Sequence, residues 1–166
     1  SSFTLRKARG DKTDIGAMRR AVAYHKKPDR KRALAEAAKL AKRRPTDPFV
    51  QELVGQIYLE SREFGRAAQA YGKAVNLAPA EPLILAGYGR ALLAQNTKAS
   101  NREALKVLER ARARDARDPR MMRDLAVAYS RAGQNGMASL ATAERYAILG
   151  RIRAAGVHAK RAVGLL

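Results

Sequence analysis

Residues 48–81 read PFVQELVGQIYLESREFGRAAQAYGKAVNLAPAE, 34 residues that decide the architecture of the chain. Apolar residues recur at helical spacing on either side of Ser61-Arg62-Glu63, so the stretch predicts two amphipathic helices joined by a tight turn. Counted from Pro48 as position 1, small or aromatic residues stand at Gly55 (8), Tyr58 (11), Ala67 (20), Tyr71 (24) and Ala74 (27), with Pro79 at 32. Small residues let two helices approach closely, and aromatics fill the gaps that remain.

That set of positions resembles the tetratricopeptide repeat (TPR), whose helical hairpins stack so that neighbours bury a continuous core. Val54 suits the apolar position 7, while Gln51 stands where the pattern prefers Trp. The fold class expected is therefore all-α, a TPR solenoid of antiparallel helix hairpins with about four to five repeats, the first and last degenerate.

The register extends in both directions. One step back falls on Asp14 and places Tyr24 at position 11, Ala33 at 20 and Pro45 at 32. It predicts helices over about 14–26 and on to about Arg43, separated by Lys27-Pro28-Asp29. Pro28 ends the first because it lacks an N–H, and Asp29 can cap the second. Arg20 at position 7 marks this unit as degenerate. One step forward falls on Pro82, with Leu85, Tyr88 and Gly89 at positions 4, 7 and 8. Three extra residues within Asn96–Asn101 then read as an insertion in the turn, with Ser100 or Asn101 capping a helix to about Arg114. Beyond it Ala104, Leu108 and Ala111 resume positions 20, 24 and 27. A fourth unit opens at Pro119, with Leu125, Ala126 and Tyr129 at 7, 8 and 11 and Gly133 starting its turn. Its second helix, about Gly136–Leu149, also fits as the first helix of a further unit, which a helix over about Arg151–Leu166 closes. The expected organisation is a lead-in at 1–13 from an upstream region, then a TPR domain over 14–166. Its units are 14–47, 48–81, 82–118, 119–149 and 137–166, the last two sharing a helix.

The net charge of the 166-residue chain is +19, and 15 Lys/Arg against 4 Asp/Glu put +11 within residues 1–44. Such a field attracts polyanions or acidic protein surfaces. The chain has no Cys and no Trp, so disulfides and thiolate metal sites are excluded. No apolar run approaches the ~20 residues that span a bilayer. Residues 1–14 lack a signal-peptide core, so if the protein is exported its signal lies outside this sequence. Catalytic signatures are missing as well. His25 and His158 are far apart in the array, HExxH does not occur, and Gly87-Tyr88-Gly89 belongs to a helix rather than to a phosphate loop. The chain reads as non-catalytic, with no catalytic residue, cofactor or metal ligand of its own.

Five of the six tyrosines, Tyr24, Tyr58, Tyr88, Tyr129 and Tyr146, recur near helix-packing positions and read as core. The arginines from Arg110 to Arg123 are interleaved with Glu109, Asp115, Asp118 and Asp124, which reads as a salt-bridged surface. In a TPR array the first helix of each hairpin lines the concave face, with positions 2, 5, 9, 12 and 13 pointing into it. Candidate partner-binding residues are then His25 and Lys26 in the first unit, and Phe49, Gln56, Leu59 and Glu60 in the second. Arg90 and Leu93 come from the third, and Arg120, Arg123, Ser130 and Arg131 from the fourth. The groove they line is mixed, with an apolar floor and Arg90, Arg123 and Arg131 at one end. Glu52 and Gln56 replace the Lys and Asn of chaperone-tail clamps, which disfavours that ligand. An extended peptide or a helix is the expected occupant.

Three segments resemble a narrower family: RRAVAYHKKPDRKRALA (19–35), PFVQELVGQIYLES (48–61) and, most specifically, LAVAYSRAGQNGMASLATAERYAILGRIRAAGVHAKRAVGLL (125–166). They are similar to the C-terminal TPR region of periplasmic zinc metalloproteases of the BepA type, in which an HExxH peptidase domain precedes the TPR tail. The resemblance implies a periplasmic protein-interaction domain in cell-envelope quality control. It would dock the protease onto outer-membrane assembly proteins and substrate peptides, and pack against the peptidase domain in cis. Zinc would belong to that upstream domain and not to these residues. The alternative reading is a stand-alone basic TPR adaptor that binds anionic lipid, nucleic acid or an acidic protein. Nucleic acid is disfavoured as the partner, and peripheral membrane contact remains compatible with the charge.

Overall fold

Asp47-Pro48, Glu81-Pro82 and Asp118-Pro119 begin three helices in the same way. In the computed structural model, which describes residues 17, 18 and 29–166, the acidic side chain before each proline caps the helix. Asp47 accepts from the Phe49 N–H at 3.0 Å, Glu81 from that of Leu83 at 3.5 Å, and Asp118 from those of Arg120 at 2.9 Å and Met121 at 3.2 Å. Proline suits the first helical turn because its missing N–H would have no partner there. These caps open α2 (Pro48–Glu60), α4 (Pro82–Gln95) and α6 (Pro119–Arg131). The other helices delimited among the described residues are α1 (Arg30–Arg43), α3 (Phe64–Leu77), α5 (Lys98–Arg114), α7 (Asn135–Ile148) and α8 (Ile152–Leu165). Strands are absent from the described residues, as the all-α expectation requires. The helix expected over 14–26 lies outside them apart from Ala17 and Met18, which are helical. Asp29 caps α1, accepting from the Arg32 N–H at 3.4 Å.

The helices fall into two compact units that divide between Pro79 and Ala80. In the first, α2 packs against α3 and α1. Its core joins Ala33, Ala37 and Ile57 in one cluster and Ala17, Leu40 and Val50 in another, with Leu53 touching both. In the second, α4 pairs with α5 and α6 with α7; α6 also contacts α4 and α5, and α7 contacts α8. Ile84, Leu85, Leu108, Met121, Met122 and Leu125 are fully buried there.

Close approach of α2 to α3 and of α4 to α5 depends on one glycine in each pair. A Cβ on Gly55 would lie 2.7 Å from the Tyr71 ring, and one on Gly89 would lie 2.4 Å from Cγ of Leu108. In each hairpin a position-8 glycine faces a position-24 side chain, and in the second this holds only with the three-residue offset counted. The extra residues do not form the surface loop that the sequence suggests. They lengthen the helix: α5 has 17 residues where α3 has 14. Its cap is Thr97 rather than Ser100 or Asn101, because Thr97 and Ser100 form a reciprocal capping box.

The turns share one backbone device. Position 15 holds Arg62, Asn96 and Gly133 in its three clear occurrences, at φ of 62°, 52° and 76°, and Gly150 after α7 has φ 73°. Glycine occupies this left-handed region without penalty, whereas arginine is strained there.

These contacts and turns set the cost of substitution. Arg62→Gly should stabilise the chain by about 0.5–1 kcal/mol, and Gly133→Ala should destabilise it by about 1–2 kcal/mol. Urea melts would read both, and an unchanged Gly133→Ala midpoint would contradict the assignment. Gly89→Ala should cost about 1–3 kcal/mol by overpacking. Combined with Leu108→Ala it should cost clearly less than the sum of the two single variants, since each change makes room for the other.

Candidate interaction surface

Arginine side chains that the periodicity assigns to a groove need counter-charges wherever the fold buries them. In the second unit Arg90 on α4 donates from Nε to Oδ2 of Asp124 on α6 at 2.9 Å. Asp124 is buried, and burial pushes its carboxyl above the ordinary aspartate range. Arg90, Arg123 and Arg120 oppose that shift with their positive charge, Arg90 also through the hydrogen bond. A second link is close by: Arg131 on α6 donates to the Leu93 carbonyl at 2.8 Å and to Oδ1 of Asn101 at 3.0 Å. Two arginines thus tie α6 to α4, and one of them reaches α5 as well.

On the exposed side of α6 stand Arg120, Arg123, Val127, Ser130 and Arg131, and on α4 Leu83 is more than half exposed. Spacings of three and four residues keep these α6 positions on one helix face. The structure therefore gathers Arg90, Arg120 and Arg123 around one buried carboxylate, while Arg131 is held apart from it by the Leu93 carbonyl and Asn101. Leu93 differs from the expectation. Its side chain is buried, and its carbonyl rather than its side chain meets Arg131. Apolar residues at position 12 of a helix packed on two neighbours are readily drawn into the core.

In the first unit Phe49 and Gln56 are exposed on α2 and Leu59 is half-buried, while the Gln56 amide donates to Glu60 at 3.3 Å. These residues share one helix face, with Glu60 as its acidic end. His25 and Lys26 lie outside the described residues. The sequence reading did not single out Asp124 as a site residue. Its signal was its place between Met122 and Leu125, two residues on the buried side of the helix.

A second polar network joins α5, α6 and α7. Arg112 pairs with Glu144, and the Tyr129 hydroxyl is hydrogen-bonded to Glu109. Burial first, and then the Glu109 charge, push the Tyr129 hydroxyl up, against the nearby Arg112. Glu109, Arg112 and Tyr129 border an open hollow of about 270 Å³. In the first unit Gln51, Val54, Tyr58, Arg66 and Lys73 line a larger one of about 360 Å³, at the place where the repeat pattern would put Trp. His158 stacks on Tyr146, with ring centroids 5.3 Å apart. Among the described residues no three His, Asp or Glu side chains converge as a metal site. No helix among them is long and apolar enough to cross a membrane.

No protein-family model and no curated protein matches the sequence. Solved structures do. A double mutant of MamA RS-1 superposes with a TM-score of 0.74 at 18% identity, covering 89% of this chain and 82% of that one. The chain has the tetratricopeptide-repeat fold. A thermophilic TPR protein from Thermus thermophilus aligns at TM-score 0.64 and 17% identity over 92% of this chain and 91% of its own. Yeast Tom70 aligns at TM-score 0.75 and 17% identity over 92% of this chain, which spans 33% of Tom70. Identities this low speak for the TPR fold alone.

The Arg90–Asp124 pair generates a prediction. Arg90→Met should cost about 3–5 kcal/mol, because it leaves a buried carboxylate without its partner, and Asp124→Asn in the same chain should recover most of the loss. The sign with pH follows from the raised carboxyl. Asp124 favours the folded state while protonated, and that contribution is lost as pH rises through its folded value. The stability difference between wild type and Asp124→Asn should therefore move in favour of Asp124→Asn as the pH is raised from strong acid toward neutrality. Denaturant melts across that range would measure it, and a difference that does not change with pH would refute the assignment.

Proposed function

We propose that the chain is a non-catalytic protein-interaction domain whose binding face in the second unit is the exposed side of α4 and α6. The observation that carries this reading is the pair of cross-helix arginine links, Arg90 to Asp124 and Arg131 to the Leu93 carbonyl. They fix two neighbouring helices while leaving Arg120, Arg123, Val127 and Leu83 exposed. A face with Leu83 and Val127 exposed beside Arg120 and Arg123 suits an extended or helical protein segment with acidic and apolar residues. Phe49, Gln56, Leu59 and Glu60 on α2 form the corresponding face of the first unit in this reading.

The resemblance of residues 19–35, 48–61 and 125–166 to the TPR tails of BepA-type proteases supplies the finer proposal. The domain docks a zinc metallopeptidase in the periplasm onto envelope assembly proteins or substrates, with zinc held by the peptidase domain.

Photo-crosslinking in the full-length protein tests both levels. A crosslinker at Val127 should capture an acidic-apolar protein segment, and Arg120→Glu with Arg123→Glu should reduce capture about tenfold or more. Capture should persist at raised salt, whereas binding to a polyanion falls steeply with salt. Capture that ignores the two charge reversals would overturn the binding face. Capture by a partner other than a peptidase domain or an envelope protein would overturn the docking role alone.

A further inference from the structure

The C-terminal helix α8 is amphipathic in two directions at once. Its buried side, centred on Ala162 with Ala154, Ala155 and His158 half-buried, packs against α7. A second apolar stripe lies beside that one and has no neighbour among the described residues. Ile152 is 71% and Val163 79% exposed; Gly156 and Ala159 between them are exposed too. A Cβ built on Gly156 would meet nothing within 4 Å, so the middle of the stripe is open.

The spacing of Ile152, Gly156, Ala159 and Val163 is four, three and four residues, the alternation of a coiled-coil seam. With these as the d, a, d and a positions, both e positions are basic, Arg153 and Lys160. The g positions, Ala155 and Ala162, face α7 instead. From Arg145 to Leu166 the chain carries Arg145, Arg151, Arg153, Lys160 and Arg161 and no acidic residue. We propose that this stripe docks an amphipathic helix of a partner protein whose flanking positions are acidic.

Each part of the occupant's chemistry is set by something on α8. The e-position cations call for Asp or Glu on the facing edge of the partner. Gly156 and Ala159 permit close approach of a helix backbone, with Ile152 and Val163 as anchors at the two ends. A lipid surface would instead be met by bulky Trp, Phe or Leu side chains along the apolar face, whereas the centre of this stripe is Gly156 and Ala159, with a leucine, Leu166, only at its C-terminal end. A second copy paired antiparallel would set Arg153 and Lys160 of one chain against those of the other. This surface is separate from the α4 and α6 face, and its test does not depend on that reading.

The probe is a synthetic four-heptad helical peptide with apolar a and d positions and Glu at e and g, titrated into the chain by fluorescence anisotropy. A matched peptide with Lys at e and g is the control. The acidic peptide should bind and the lysine peptide should not. Ile152→Asp and Val163→Asp should each weaken binding at least about tenfold, as should Arg153→Glu combined with Lys160→Glu. Gly156→Leu should also weaken it by blocking close approach. Since leucine is the better helix former on this exposed face, that variant keeps its fold. Equal binding of both peptides, binding of neither, or acidic-peptide binding unaffected by Ile152→Asp and Gly156→Leu would overturn the proposal. So would loss of function at Ile152 and Val163 seen only with anionic phosphatidylglycerol vesicles, or only in self-association measured by sedimentation.

Discussion

Two helix backbones can approach closely only where one of them has no side chain in the way, and the hairpins of this chain depend on that constraint. Gly55 lies under the Tyr71 ring and Gly89 under Leu108, so a bulky residue on each second helix sits directly on the backbone of the first. The contact sets the spacing of α2 against α3 and of α4 against α5. The same 3.6-residue periodicity carries Ala67 and Ala74 of α3 and Ala104 and Ala111 of α5 into the core, where all four are buried.

Fixing α4 and α6 side by side raises an electrostatic problem in the second unit, since both helices carry arginine near their contact. Asp124 resolves it by accepting from Arg90 inside the interface, at the cost of a carboxylate removed from water. A buried pair of this kind contributes little net stability, yet breaking it is expensive, so it acts as a registration device. Arg90 holds the two helices through Asp124, and Arg120 and Arg123 remain exposed on the outside beside it.

Much of this was legible in the sequence, for reasons that are physical. Proline at position 1, small or aromatic residues at positions 8, 11, 20, 24 and 27, and the turn between the helices recur at fixed spacing, so the hairpins could be read directly. The NTKASN stretch misled because Asn, Thr and Ser signal a turn equally well when they cap a helix. Thr97 and Ser100 form that cap, and the extra residues became an added turn of α5. Asp124 was hard to recognise as a site residue because its partner is 34 residues away, on another hairpin. Leu93 followed the groove periodicity and was nevertheless drawn into the core. Pairing across repeats and exposure at the C-terminal helix are tertiary facts, and no local pattern encodes them.

The central claim is that the exposed side of α4 and α6 receives a protein partner while the cross-helix arginine links hold the two helices in register. Amide hydrogen exchange on the chain, free and saturated with its partner segment, measures this most directly. The account predicts added protection in α4 and α6, with α5 and α7 unchanged. Protection confined to α5 and α7, with α4 and α6 exchanging as in the free chain, would contradict it.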